Sequence, residues 1–231
     1  SRTLTAPTGG SILAVLSDPA ATGADDANVA IANYRFRYYV ADAEIGQKLR
    51  LGAATKVRLL FGLRFAHISE ELQVDYIVGD RVTTSSRFWG IGPRIGADLK
   101  WRLPSMGGLF LAGNMDAALL LGQFDTARSQ VIRDTGVTIV SVAQRNQASL
   151  VPAFGGRLAL GWRGRVGNGA WLSAELGYQF QSFIGGTRRI GFVDDINGAA
   201  TNTERDDLFL HGPYLQMKLR FYSFGQLFNL I

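Results

Sequence analysis

The side chains best placed by type and spacing to do chemistry are His67, Ser69 and Glu71, at i, i+2 and i+4, with His211 as the second of only two histidines. A histidine base beside a serine nucleophile, oriented by a carboxylate, is the constellation of a hydrolase. Alternate residues of a strand stand about 7 Å apart, however, too far for hydrogen bonds along one chain. The adjacent carboxylates Asp194–Asp195 and Asp206–Asp207 are a weaker paired-acid candidate, since such pairs in loops are ordinarily solvated or bind Ca2+. Gly90-x-Gly92 and Gly107–Gly108 lack the following helix and the lysine of a phosphate loop. With no cysteine and two histidines, thiolate and His-rich metal centres are not expected. The expectation is a protein that is not an enzyme and carries no cofactor.

A larger set of reactive side chains shares one face of a repeated strand pattern. In Arg87–Leu103, one face reads Trp89, Ile91, Pro93, Ile95, Ala97, Leu99, Trp101, Leu103. The other reads Phe88, Gly90, Gly92, Arg94, Gly96, Asp98, Lys100, Arg102. A period of two is the signature of a strand whose faces see different media. Seven stretches alternate in this way. The fold class expected is all-β, a transmembrane antiparallel up-and-down barrel of about eight strands, with lipid outside and polar side chains within.

Composition agrees. Hydrophobic residues make up 47% of the 231-residue chain, yet no run approaches the ~18 continuous apolar residues of a membrane-spanning helix. Glycine stands at 28 residues against six prolines, which is not the composition of a disordered linker. The net charge of +5 is spread along the chain, so nucleic acid is not an expected partner.

The expected division is 1–28 as an N-terminal segment or outer loop able to hold a short first strand, 29–222 as the barrel, and 223–231 as a C-terminal periplasmic tail. Strand pattern occupies 29–49, 56–68, 87–103, 109–123, 149–163, 170–183 and 208–222. Short turns fall near 50, 105 and 166. Long polar connections read as loops at 69–86, 124–148 and 184–207, the second holding a Val137–Val142 core suited to an extra hairpin arm. Outer-membrane barrels have short periplasmic turns and long outer loops, so the strand from Val29 descends from outside. An even count then needs one more ascending strand, supplied by Thr3–Leu16 or by sequence upstream of this chain, giving eight strands, or ten if a hairpin is absent.

The interior set expected on this pattern is Arg58, Arg64, Arg94, Asp98, Lys100, Asp116, Arg157, Glu175, Lys218 and Arg220, joined by Arg102 and Arg163. Arg94 with Asp98 is the pair singled out. Asp42 and Glu44 share parity with Tyr34, Phe36, Tyr38 and Val40, while Arg35 and Arg37 take the other face. A β-bulge near Val40–Ala41 would return all four charges to the interior. Eight strands leave a lumen only wide enough for side chains, so the charges read as a plug. Basic residues outnumber acidic ones inside, so any pore is expected to favour anions. Trp89, Trp101, Trp162, Tyr214 and Phe221 lie near strand ends and read as an aromatic girdle. Trp171 has the wrong parity for lipid and is expected to cap a turn.

Phe88-Trp-Gly-Ile-Gly-Pro-Arg-Ile-Gly96, Asp42-Ala-Glu-Ile-Gly46, Phe61-Gly-Leu-Arg-Phe65 and His211-Gly-Pro-Tyr-Leu215 resemble segments of the Legionella-type major outer membrane protein family. The resemblance runs from about Asn33 to Phe221, and its Trp-Gly-Ile-Gly-Pro-Arg block is the most specific part. It implies an outer-membrane β-barrel, porin-like or surface-exposed, in the bacterial outer membrane, with no catalytic residues to carry over. The family has more strand-like sequence upstream, and this chain continues ten residues past Phe221, where barrels usually stop.

Three classes of function follow. The first is a non-enzymatic structural or surface-interaction scaffold with a charge-filled lumen. The second is a porin for small, anion-favouring solutes. The third is a soluble, lipocalin-like barrel, which would show charges outside, against the pattern here. Expected partners are outer-membrane lipid and lipopolysaccharide, with a second copy or an envelope protein engaged through loops or tail.

Overall fold

The computed structural model describes residues 2–5, 29–76, 80–104, 106–132, 135–166, 170–192 and 201–221, leaving aside the side chains of Phe192, Thr201 and Phe221. Eight strands follow one another: β1 (Arg2–Thr5), β2 (Val29–Leu51), β3 (Thr55–Tyr76), β4 (Asp80–Arg102), β5 (Leu109–Ile132), β6 (Thr138–Val166), β7 (Ala170–Phe192) and β8 (Thr201–Phe221). Each pairs antiparallel with the next in a single up-and-down sheet, and there is no helix among the described residues. β1 and β8 are the two ends of the strand order. The sheet curls far enough that Tyr38 of β2 donates a 2.6 Å hydrogen bond to Gln181 of β7 and meets Phe183 edge-on.

The period of two fixes which face meets lipid. Along β4, Trp89, Ile91, Ile95, Leu99 and Trp101 are exposed, while Phe88 and Arg94, on the opposite parity, are buried. Leu59, Phe61, Leu63 and Phe65 of β3 continue the exposed apolar face. From Trp89 to Trp101 the chain rises about 40 Å along the strand, or about 28 Å at a 45° tilt. That matches an outward apolar band about 25 Å tall.

The strands are 21 to 29 residues long from β2 onward, roughly twice the 9–11 that cross a bilayer. Most of the stretches read as loops from sequence are therefore strand. β3 and β4 stay paired out to Asp75↔Arg81, and β5 and β6 out to Val131↔Thr138. Backbone hydrogen bonding continues the ladder beyond the lipid band, where alternation is reduced to short sets such as Leu72, Val74, Tyr76 and Val82 that pack into a small inward cluster. Thr138–Val142 of the Val137–Val142 segment is the start of β6 rather than a separate arm. At the other end, tight turns carry Gly52, Gly107 and Gly108 at positive φ.

The bulge expected near Val40–Ala41 is absent, because the β2–β3 register runs unbroken from Ala30↔Tyr76 to Leu51↔Thr55. Phe36, Tyr38 and Val40 face inward with Asp42 and Glu44, packing on the interior apolar cluster. Arg35 and Arg37 point outward, above the lipid band, where water solvates them and Arg35 pairs with Glu71 at 3.5 Å. The parity conflict therefore needs no extra residue. A real irregularity lies on β6, between Phe124↔Gln147 and Thr126↔Gln144. There Asn146 adopts φ 55° and its N–H donates to the Asp125 carboxylate at 2.9 Å.

Candidate functional site

The interior carries three layers. In the middle, β2 supplies Asp42 and Glu44, β3 Arg58 and Arg64, β4 Arg94 and Asp98, β5 Asp116 and β6 Arg157, all on the inward parity of their strands. Arg64 donates to both carboxylate oxygens of Asp42, at 2.7 and 2.9 Å, and contacts Asp116 at 2.7 Å. Arg94 reaches Asp116 at 3.1 Å, Asp42 at 3.5 Å and Glu44. Arg58 bridges Glu44 at 3.1 Å and Asp98 at 3.5 Å. Arg157 approaches Asp98 at 3.9 Å, and Asn114 donates to Asp98 at 2.7 Å.

This network is balanced, with four guanidinium groups against four carboxylates. The Arg64, Arg94 and Asp116 side chains are 4%, 7% and 7% exposed, so the balance is required: a buried charge persists only when paired. Glycine makes the space. A Cβ at Gly155 would lie 2.9 Å from an Asp116 oxygen, and one at Gly46 would meet the Arg58 Nε at 2.4 Å. The Arg94–Asp98 pair expected from sequence does not form. Arg94 serves Asp42, Glu44 and Asp116, whereas Asp98 belongs to Arg58, Arg157 and Asn114. Strand tilt carries each long side chain across to strands other than its own, so spacing along one strand does not choose the partner. A cavity of about 520 Å3 lies against the network, lined also by Gln179, Gln181 and Gly212.

Above the network, toward the long arms, the inward face carries a buried apolar cluster. Phe88, Phe124, Phe183, Ile68, Leu120 and Val151 are at most 1% exposed, and the Phe88 and Phe124 rings pack 4.7 Å apart. Sequence reading missed this layer. Its signal was the run of apolar residues Ala118, Leu120 and Phe124 on the same parity as Asp116. Arg188 caps the layer, 4.3 Å over Phe124, and donates to Gln147 and Ser149 at 2.8 and 2.9 Å. Burial, reinforced by nearby Arg205, lowers the pKa of its guanidinium.

Below the network, Lys100 sits 3.8 Å from Glu175 and over the Phe110 ring. Lys218 and Arg220 lie farther down on the inward parity of β8, opposite Ser173 and Trp171. The excess of interior cations is thus confined to the short-turn end, not spread through the lumen.

Trp89, Trp101 and Trp162 face outward at the edges of the apolar band, and the Trp162 indole N–H donates to the Gly107 carbonyl at 3.2 Å. Tyr214 does not belong to that girdle. It pairs with Gly177 on the inward face, with its hydroxyl buried, while Pro213 and Leu215 take the outward positions. The Phe221 side chain and the tail lie outside the described residues. Trp171 also faces inward, beneath Arg163 and Arg165; residues 167–169 of the turn it is expected to cap lie outside the described residues.

The hydrolase constellation is not assembled. His67 stacks on Tyr39, Glu71 pairs with Arg35, and His211 contacts the Tyr178 hydroxyl. Among the described residues, neither imidazole bonds to a serine. Asp206 faces Arg189 at 3.7 Å, and Asp207 accepts the Gly185 N–H at 2.7 Å. Asp194–Asp195 lies outside the described residues. No group of three potential metal ligands occurs among the described residues.

A curled up-and-down sheet with lipid-facing aliphatic residues and an inward ion network is the architecture of an outer-membrane barrel. The family model of the Legionella pneumophila major outer membrane protein precursor matches residues 11–221. The chain belongs to that family. No curated protein and no solved structure matches it. As a member of the major outer membrane protein family it is a protein of the bacterial outer membrane, and its short turns face the periplasm by the rule of such barrels.

Proposed function

We propose that this protein is a non-enzymatic outer-membrane scaffold whose lumen is filled rather than open, and whose long arms carry its contacts. The observation that carries the reading is the pairing of two seals. A charge-balanced network crosses the lumen, and an apolar layer with side chains at most 1% exposed lies directly above it. A diffusion pore needs a continuous water column, which fully buried phenylalanines oppose. The β3–β4 hairpin extends from Trp89 and His67, at the band edge, to Tyr76 and Asp80, about 30 Å of strand at ~3.3 Å per residue. Such an arm offers a rigid surface to an envelope or external partner, and the apolar band engages lipid and lipopolysaccharide.

A second reading, a porin for small solutes, is favoured by the cavity of about 520 Å3 beside the network. Conductance of the purified protein in planar bilayers, with its oligomeric state measured in detergent, separates the two. Silence from a correctly folded protein supports the filled scaffold. Stable, salt-dependent steps overturn it and make the cavity part of a pathway.

A further inference from the structure

Below the network the inward face becomes a belt of cations. β2 contributes Lys48 and Arg50, β3 Lys56, and β4 Lys100 and Arg102; across the lumen, β6 contributes Arg163 and Arg165, and β8 Lys218 and Arg220. Each continues the inward parity of its strand, while Leu49, Leu99, Trp101, Trp162 and Leu219 take the lipid face between them. Arg50, Lys56 and Lys100 fall in one cross-strand row. Against these nine cations the belt holds one carboxylate, Glu175, 3.8 Å from Lys100. Among the described residues, none of the other eight forms an ion pair.

This surplus has no role in balancing the interior, because the network above is already neutral. Like charges so close repel and weaken the folded state, so a counter-charge is missing from the chain itself. Three of these side chains are nonetheless held in place. The Arg163 and Arg165 guanidinium carbons lie 4.9 and 5.9 Å from the Trp171 ring centre, a contact that positions a cation without neutralising it. Arg102 donates to the Ala53 carbonyl at 2.7 Å. All but Lys100 are exposed, so the belt is hydrated and reachable from the periplasmic end.

We propose that this belt is a binding site for a multivalent phosphoryl anion arriving from the periplasm. Guanidinium forks match phosphate oxygens two at a time, and the lysines add point charge. A single chloride or carboxylate would leave most of the surplus unmatched. The side chains lie on the lumen face of the strands and not on the lipid face, so the ligand is a soluble anion rather than a lipid headgroup. The site stands whether or not the lumen conducts, and so goes beyond the scaffold reading.

The test uses the full chain folded in a neutral detergent and in zwitterionic phosphatidylcholine nanodiscs, with inorganic pyrophosphate as the probe. Thermal unfolding and calorimetry are run against sodium chloride at equal ionic strength. Saturable binding of pyrophosphate in both settings is expected, weakened at least tenfold in K218Q/R220Q. R35Q/R37Q, which removes two outward cations at the opposite end, is expected to stay within twofold of the parent. Neutralising belt charges relieves repulsion, so K218Q/R220Q folds at least as stably as the parent without anion; K56Q serves as a second variant. Three outcomes overturn the proposal: no binding, an equal response to sodium chloride, or equal affinities across the variants. Binding of phosphatidylglycerol in mixed nanodiscs with no response to pyrophosphate overturns it as well, in favour of a lipid site.

Discussion

Replacing Asp116 by Asn is the most direct test of the central network. Asp116 is the carboxylate shared by Arg64, at 2.7 Å, and Arg94, at 3.1 Å, and all three side chains are at most 7% exposed. Asn keeps the shape and removes the charge, leaving the buried centre one positive charge in excess. Removing one partner of a buried pair costs about 3–5 kcal/mol. Arg64 retains its two-pronged bond to Asp42, and Arg94 retains Glu44, so the low end, about 3 kcal/mol, is expected. With a urea dependence of about 2 kcal/mol per molar, the unfolding midpoint falls by about 1.5 M.

The assay is urea unfolding in detergent, followed by tryptophan fluorescence and by the temperature at which the folded band is lost on unboiled gels. Glu71→Gln is the reference, since its pair with Arg35 is 3.5 Å long between side chains 64% and 43% exposed; it should cost less than about 1 kcal/mol. The double variant D116N/R94Q restores neutrality and should lose less than the sum of its single changes. A midpoint for D116N no lower than that of E71Q, or strict additivity in the double variant, would refute the claim that the network is one buried, charge-balanced unit.

Phe88→Ala removes a ring that is 1% exposed and packed 4.7 Å from Phe124, at a cost of about 3–5 kcal/mol. In planar bilayers it should also turn a silent protein into a conducting one, and unchanged silence would count against the apolar layer as the seal. Asn146→Val forces a β-branched residue into φ 55° and should cost roughly 1–2 kcal/mol, whereas Asn146→Gly is tolerated; urea midpoints separate them. The Tyr34 phenol, above the lipid band, is pushed up to about 12 by burial and by the Glu70 carboxylate to which it donates at 3.0 Å. Because the folded value is raised, whatever stability the phenol adds is present below pH 10 and lost as pH rises toward 12. Absorbance at 295 nm should show a late-titrating tyrosine component, and its amplitude should fall by one residue's share in Tyr34→Phe.

Where the bilayer enforces a face, the sequence is legible. Leu59–Phe65 on β3 and Trp89–Trp101 on β4 alternate because one side meets hydrocarbon, and the structure keeps that parity residue for residue. Above the band nothing enforces it. Arg35 and Arg37 face outward into water, and 69–75 pairs with 81–87 as strand. There the only apolar parity is the short set Leu72, Val74, Tyr76 and Val82, which packs into a small inward cluster and is interrupted by too many polar residues to read as a membrane strand. The identity of interior charges was likewise readable from parity, but not their partners, because Arg94 on β4 reaches Asp42 and Glu44 on β2 across an intervening strand. Tyr214 failed for a different reason: aromatic type suggested the interface, while its parity, shared with Gln216 and Lys218, placed it inside.

The vertical order of the interior follows from the cost of burying charge. Where water is excluded, the chain supplies either no charge, as around Phe88 and Phe124, or equal numbers of each sign, as around Asp116. Arg188 shows the limit of that rule: its guanidinium is buried over Phe124 with no carboxylate paired to it among the described residues, and its two terminal nitrogens donate to Gln147 and Ser149 at the edge of the wet arm. Among the described residues, the larger unmatched surplus of cations lies where the inward face opens to the periplasm, because there solvent carries the cost that the middle layer avoids by pairing. A chain selected only to fill its lumen would have no use for that surplus. Its confinement to one hydrated mouth, on the lumen face of five separate strands, is what separates a site for an external anion from the interior packing above it.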